Sequence, residues 1–361
     1  MAKFHSLSIR QIRRETADAV SIAFDVPDTL WPDFQYKQGQ YLTLKLTING
    51  EELRRSYSIC TSPYSERELR IAVKEVKGGR ASVFLNRQIK EGQKIEVMSP
   101  LGNFHSPLSG AHKKNYVLLA GGSGITPMMS IIKSVLYVEK QSSIILVYAN
   151  RNKESIIFEG ELNSIAGEYK DRFRQIAILD DLDGMKGGVS EKGPVTVALA
   201  AKITGGLSLN MKEAEFFICG PGPMMENVKS ALENLGVGAE KIHIEYFAAV
   251  AEGVRVAENE SESESENIEA EVEVLQFGSR HSFKLNTRGA SVLDGALENG
   301  IDVPFSCKGA VCCTCRAKLL EGKVKMDANF ALTDQEVAEG YILTCQSHPL
   351  SAKIVVDYDA V

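Results

Sequence analysis

A chain of 361 residues is too long for one ordinary domain, and with 44% apolar residues it can bury a core in each of two or three. Its formal net charge of -6 offers no basic footprint, which argues against nucleic acid or an anionic membrane surface as partner. No apolar run reaches the length of about eighteen residues that a membrane span needs, and Met1-Ala2-Lys3-Phe4-His5-Ser6 lacks a leader pattern, so a cytoplasmic protein is expected.

The first hundred residues read as short strands. Tyr41–Leu46, Arg70–Val76 and Lys94–Val97 alternate apolar and polar residues between Gly, Pro and Asn turns. A small antiparallel barrel is the predicted form. Within it Arg55, Tyr57 and Ser58 spell R-x-Y-[ST]. Alternation puts Arg55, Tyr57 and Ile59 on one face of their strand and Ser58 on the other. An arginine suits a diphosphate, a tyrosine ring can pack on a flavin, and a hydroxyl can bond its edge. Taken alone, the same four residues also fit an ordinary surface strand. Downstream, Gly79-x-x-Ser82 reads as a Gly turn opening a helix, whose first N–H groups and Ser82 hydroxyl suit a phosphate. A plain helix N-cap is the equal alternative.

The pattern changes near Lys114. Tyr116–Ala120 is a buried-type strand, Ala120–Met128 a Gly-rich turn, and a helix is predicted from about Met128 to Glu139. Ile144–Tyr148 and Glu215–Cys219 are further strands, so the segment reads as α/β with a parallel sheet. Gly122 and Gly124 allow a dinucleotide backbone to approach, and Pro127 suits a first helical turn, although the run is not G-x-G-x-x-G. Cys219-Gly220-Pro221-Gly222-Pro223 follows a strand where such sheets bind ligands; the alternative for Cys219 is a small buried residue. Arg151 and Lys153 follow another strand end. Their charge favours NADPH over NADH, and a solvated loop is the competing reading.

Residues 251–270 break the composition with the Glu/Ser run Glu258–Glu266 and predict an extended acidic linker. The last segment opens with a hairpin, Glu271–Val274 and Ser282–Leu285, followed by a helix Val292–Glu298 capped by Ser291. It holds five of the seven cysteines. Cys307-x4-Cys312-x2-Cys315-x29-Cys345 is the plant-type [2Fe–2S] spacing. Zinc would call for two close C-x2-C pairs or a Cys/His mixture, and the only nearby histidine is His348. Cys313 lies off the ligand pattern and reads as a packed residue, while Gly309 is expected to carry the loop's bend.

In this order the motifs R-S-Y-S, G-G-R-A-S, G-G-S-G-I-T-P, C-G-P-G-P-M-M and the four-cysteine spacing resemble ferredoxin–NADP reductase-type proteins with a C-terminal plant-type ferredoxin domain. The likeness is strongest to oxygenase reductases of the phenylacetyl-CoA epoxidase and ring-hydroxylating type. It implies a multidomain fold: an FAD-binding antiparallel β-barrel over 1–110, an NAD(P)-binding α/β domain over 111–250, and an α+β β-grasp [2Fe–2S] domain over 271–361. It implies FAD contacts at Arg55, Tyr57 and Ser58, and pyrophosphate contacts at Gly79, Arg80, Ala81 and Ser82. Thr126 and Cys219 are carried over to the nicotinamide pocket, with Lys74, Pro127, Gly220 and Pro221 completing the cofactor-binding set. Glu245 and Phe247 are carried over to positions near the flavin, and Ser58, Cys219 and Glu245 are the catalytic candidates. The implied activity passes electrons from NADPH (or NADH) through FAD and the cluster to an oxygenase. A Rieske oxygenase, a fatty-acid desaturase, or a role as an electron-carrier module without turnover are the alternatives.

Overall fold

Alternating strands need a second layer to cover their apolar face, and the N-terminal third solves this by closing on itself. In the computed structural model, which describes residues 3–181, 189–207, 209–247 and 268–360, β1 (Phe4–Thr16), β2 (Ala19–Asp25), β3 (Tyr41–Ile48), β4 (Glu51–Ser58), β5 (Leu69–Lys74) and β6 (Lys94–Met98) form one sheet in the order β4-β3-β6-β1-β2-β5. A bridge from Ile59 to Ile71 returns the chain after β4 to β5. Leu7, Ile9, Ile22, Leu42, Leu44, Ile59 and Ile71 fill the interior and are almost wholly buried. Ile59 therefore does not share the outward face of Arg55 and Tyr57, because β4 ends at Ser58 and the chain turns inward there. Helix α1 (Arg80–Arg87) follows β5.

The chain divides into two compact units, one of His5–Leu53 and Tyr57–Glu245, the other of Tyr246–Val361 with Met1–Phe4 and Arg54–Ser56. The first unit continues from the barrel into a parallel sheet. Its elements are β7 (Asn115–Gly121), α2 (Ile125–Val138), β8 (Ser143–Asn150), α3 (Glu159–Glu168), β9 (Phe173–Leu179), β10 (Val189–Lys192), α4 (Val197–Gly205), β11 (Glu215–Cys219), α5 (Gly222–Asn234) and β12 (Ile242–Glu245). The strand order is β10-β9-β8-β7-β11-β12. Winding runs one way from β7 and then restarts beside it at β11, so a crevice opens at the carboxyl ends of these two strands.

Helix α2 explains how the barrel and the sheet become one unit. Ile125, Met128, Met129, Ile132, Val135 and Leu136 recur at helical spacing and are fully buried against the sheet. Ser130, Lys133 and Ser134 reach toward the barrel. Ser130 Oγ donates to the Thr61 carbonyl at 2.6 Å, Ser134 Oγ pairs with Ser62 Oγ at 2.9 Å, and Lys133 meets Glu66 at 3.2 Å. The helix begins at Ile125 rather than near Met128, because the 3₁₀ turn Gly122–Gly124 runs straight into it.

The second unit holds β13 (Glu269–Gln276), β14 (Ser279–Asn286), α6 (Val292–Glu298), β15 (Arg316–Glu321), β16 (Val324–Met326), α7 (Asp334–Ala338), β17 (Tyr341–Leu343), β18 (Ser347–Pro349) and β19 (Lys353–Asp357). β13 and β14 form the expected hairpin, and the mixed sheet runs β14-β13-β19-β15-β17. Ser291 caps α6 as predicted, its hydroxyl accepting from the Asp294 N–H. The helix lays Val292, Leu293 and Ala296 over Val272, Val274, Ile354 and Val356. The acidic run Glu258–Glu266 lies outside the described residues. Among the described residues no helix is long and apolar enough to cross a membrane.

Candidate functional site

The crevice predicted by the strand order is present as a cavity of about 400 Å³, walled by Gly121 and Gly122 after β7, Asn150 and Arg151 after β8, Asp180 after β9 and Pro221 after β11. Two interlocked turns form its floor. A Cβ on Gly124 would lie 2.0 Å from the Cys219 carbonyl oxygen, so only glycine lets the turn after β7 approach β11. Gly122 adopts φ +51, and its carbonyl accepts from the buried Tyr148 hydroxyl at 3.0 Å. Thr126 and Pro127 are buried in the first turn of α2, where the Thr126 hydroxyl donates to the Ser123 carbonyl at 3.0 Å.

Asn150 is 7% exposed, and among the described residues its side-chain oxygen and nitrogen have no hydrogen-bond partner. A buried unsatisfied amide is costly and calls for a partner. A nicotinamide nucleotide in the cavity fits that need. Asn150 and Asp180 were not among the sequence candidates; their position at or one step past the carboxyl ends of parallel strands is the signal that could have found them. Lys74 and Arg151 bring positive charge to the cavity and share a counter-ion, with Asp18 3.7 Å from the lysine and 3.5 Å from the arginine.

Ser58, Cys219 and Glu245 come from three separate stretches and converge. Cys219 and Glu245 are paired residues of the parallel strands β11 and β12. Ser58 ends β4, 3% exposed, and its hydroxyl lies 3.5 Å from Glu245 Oε2. Glu245 retains some accessible surface, yet desolvation by the surrounding protein pushes its pKa up to about 8, against a lowering by the Ser58 hydroxyl. Burial pushes the Cys219 thiol well up, with the nearby Glu245 charge adding to it. The three groups thus offer a hydroxyl, a neutral thiol and a carboxyl that keeps its proton near neutral pH. Phe247, two residues beyond, is exposed.

The flavin candidates sit on the barrel. Arg55 is exposed and Tyr57 half-buried on β4. Gly79 is the N-cap of α1, and no side chain among the described residues caps its N–H groups. Such a start is open to an anionic diphosphate, which fits FAD. The Ser82 hydroxyl accepts from the Val76 N–H at 3.0 Å and so braces the turn. Ala81 is buried in the first turn, and Arg80 pairs with Glu51 at 2.5 Å.

The four candidate ligand cysteines fall into two pairs. Cys307 and Cys312 have their sulfurs 3.1 Å apart, and Cys315 is hydrogen-bonded to Cys345. Two pairs of thiols suit a centre of two irons, each held by two sulfurs. His348 is engaged with Asp327 at 3.1 Å. Lys308 at φ +52 and Ala310 at φ +63 carry the loop's bends, not Gly309, whose N–H instead donates to Cys307 Sγ at 3.3 Å. Strain at non-glycine residues of this kind persists where function requires it. The hydrogen bond that the Cys312 thiol donates, with backbone N–H groups from Gly309 and Val311, lowers the Cys307 pKa to about 6, while Cys312 is pushed well up; Cys345 is likewise lowered by Cys315 and by the Ala310 N–H, while Cys315 is pushed well up. Thiolate is the form that binds metal. Cys313 turns away and donates to the Ala331 carbonyl at 3.2 Å.

A barrel with an open helix start, a parallel sheet with an open nucleotide crevice and a cluster of four thiols define a flavin- and pyridine-nucleotide-dependent reductase with an iron–sulfur domain. Residues 6–106 match the oxidoreductase FAD-binding domain, 118–230 the oxidoreductase NAD-binding domain, and 275–350 the 2Fe-2S iron–sulfur cluster binding domain. The chain is 39% identical to one of the component proteins of 1,2-phenylacetyl-CoA epoxidase from Escherichia coli K12, over 100% of this chain and 99% of that one. It is 34% identical to the ferredoxin reductase component of 3-ketosteroid-9-alpha-monooxygenase from Rhodococcus rhodochrous, over 98% and 96%. The structure of phthalate dioxygenase reductase shares the fold, with a TM-score of 0.60 at 24% identity over 98% of each chain. The chain belongs to the family of FAD- and [2Fe–2S]-containing reductase components of oxygenases.

Proposed function

We propose that this reductase draws its electrons from NADPH and delivers them to an oxygenase of the phenylacetyl-CoA epoxidase type. End-to-end likeness to the E. coli epoxidase component carries the choice of acceptor. When bound, FAD accepts two electrons together as hydride and releases them singly, and a [2Fe–2S] cluster carries one at a time. The chain's own residues do the rest. The glycine turns around Gly122 and Gly124 let the nucleotide approach, Asn150 supplies two hydrogen-bonding atoms, and Lys74 and Arg151 balance phosphate charge. Arg55 and the start of α1 hold the flavin diphosphate, and Tyr57 packs on its ring. Ser58, Cys219 and Glu245 line the meeting place of flavin and nicotinamide with uncharged polar groups, so the hydride donor meets no fixed charge that would favour the wrong redox state. Cys307, Cys312, Cys315 and Cys345 hold the irons. On this reading the domains span 1–110, 111–250 and 271–361, and the protein works in the cytoplasm.

A second reading of the nucleotide rests on Asp180. Its carboxylate lines the same cavity as Arg151 and suits a ribose 2′-hydroxyl better than a 2′-phosphate. Steady-state reduction of a dye with each nucleotide separates the two. If NADPH is the donor, Arg151→Ala raises its KM by about tenfold or more, the worth of a charge-assisted hydrogen bond, and leaves the KM for NADH nearly unchanged. An equal effect on both would count against the 2′-phosphate role. The acceptor is tested by adding the purified candidate epoxidase: NADPH consumption coupled to product is expected, and none above the dye-free background would reject this partner.

A further inference from the structure

Behind the pair Cys315 and Cys345, three strand ends meet. β15 begins one residue after Cys315 and pairs Arg316 with Leu343, two residues before Cys345. β19 lies on the other side of β15, pairing Asp357 with Lys318. Tyr358, the first residue beyond β19, is 5% exposed. Its hydroxyl donates to Thr344 Oγ1 at 2.8 Å, and the fully buried Thr344 in turn donates to the Cys315 carbonyl at 2.9 Å. The residue preceding one ligand is thereby tied to the backbone of the other. The tie is set by a side chain from the final strand, after residue 350, where the match to the cluster-binding domain ends.

Desolvating two hydroxyls is unfavourable unless each finds a partner, so their alignment in this dry interior is a specific arrangement. It is directed at the pair, Cys315 and Cys345, whose members lie farther apart in the chain than Cys307 and Cys312. Cys307 and Cys312 are set by one short loop; Cys345 arrives from 29 residues away and has no such local constraint. We propose that Tyr358 is a positioning residue for the cluster: acting through Thr344, it holds Cys345 against Cys315, and so sets how firmly the iron bound there is retained and the potential at which the cluster takes an electron. The proposal rests on the reading that these four thiols hold a [2Fe–2S] centre.

Partners of metal ligands commonly contribute 10- to 100-fold to metal retention, and a group one bond further out is expected near the lower limit, about tenfold. The test uses the full chain carrying FAD and reconstituted with iron and sulfide. Tyr358→Phe keeps the ring and removes the hydroxyl. It should lose iron to a chelator about tenfold faster than wild type, with altered g-values in the reduced cluster's paramagnetic resonance spectrum and a shifted midpoint potential. Thr344→Val should do the same, the double variant should add little, and Thr344→Ser should restore wild-type values. A Tyr358→Phe protein that only melts earlier, with unchanged iron release, spectrum and potential, overturns the proposal. If that variant does not fold, the Thr344 pair decides: valine and serine indistinguishable in these readouts overturns it equally. Wild-type protein that takes up no cluster would instead sink the reading of the four thiols.

Discussion

At Glu245 a strand end, a desolvated carboxyl and a serine from another sheet make one chemical unit, and its proton is the most informative single atom. The carboxyl's pKa rises from 4.5 to about 8 on folding. A group that binds its proton more tightly when folded favours the fold fully below its unfolded pKa, and this contribution is lost as pH rises through the folded value. Glu245→Gln mimics the protonated form. It is therefore expected to match wild type in melting temperature near pH 5 and to exceed it near pH 9; a pH-independent offset would contradict the assignment. Ser58 and Cys219 were readable one at a time from their strand contexts, and Glu245 only through family likeness. Their types alone, a serine on a strand, a cysteine after an apolar run and a glutamate in Ile244-Glu245-Tyr246, carry no signal of proximity.

At the scale of elements, the nucleotide turn and the sheet beneath it depend on close backbone contact. Gly124→Ala puts a methyl into the Cys219 carbonyl, so the turn must move; overpacking of this kind costs about 1–3 kcal/mol. The variant should melt lower and bind nucleotide more weakly while retaining its flavin, as seen by calorimetry and flavin absorbance. The opposite ends of the same strands are tied at Glu215, where the His243 hydrogen bond at 3.0 Å and the Lys114 bond at 2.8 Å hold its pKa down to about 2. A depressed carboxylate stabilises above its unfolded pKa, and the gain disappears as pH falls through the folded one. Glu215→Gln should thus destabilise by about 1–3 kcal/mol at pH 7, and the gap to wild type should close between pH 5 and pH 2 in denaturant titrations. Helix α2 was legible from its apolar spacing. Its docking stripe, Ser130, Lys133 and Ser134, was not, because small polar residues at that spacing equally describe a solvated face.

For the molecule as a whole, the chemistry is divided between the barrel with its sheet and the cysteine domain. Cys307→Ser removes one ligand of the first pair. The variant is expected to retain NAD(P)H-dependent dye reduction and to lose transfer to its protein acceptor; retention of both would mean that electrons bypass the cluster. Because metal binding and folding are linked, stripping iron from the reduced protein should lower one calorimetric transition and leave the other in place. A uniform shift of the whole melting profile would show that the two units unfold as one.

The amino-acid sequence by itself determined the three kinds of chemistry. Cysteine spacing, glycine-rich turns and the R-x-Y-S strand are local patterns, and local patterns are written in consecutive residues. It misjudged details that depend on neighbours far along the chain: Ile59 turned into the barrel, and Gly309 left the bends to Lys308 and Ala310. Only the tertiary structure decided which residues meet. The strand order put Asn150 and Asp180 on the nucleotide cavity and brought Glu245 to Ser58, and the final strand carried Tyr358 to the cluster ligands. Proximity across more than a hundred residues is set by sheet pairing and burial, which no short stretch of sequence encodes.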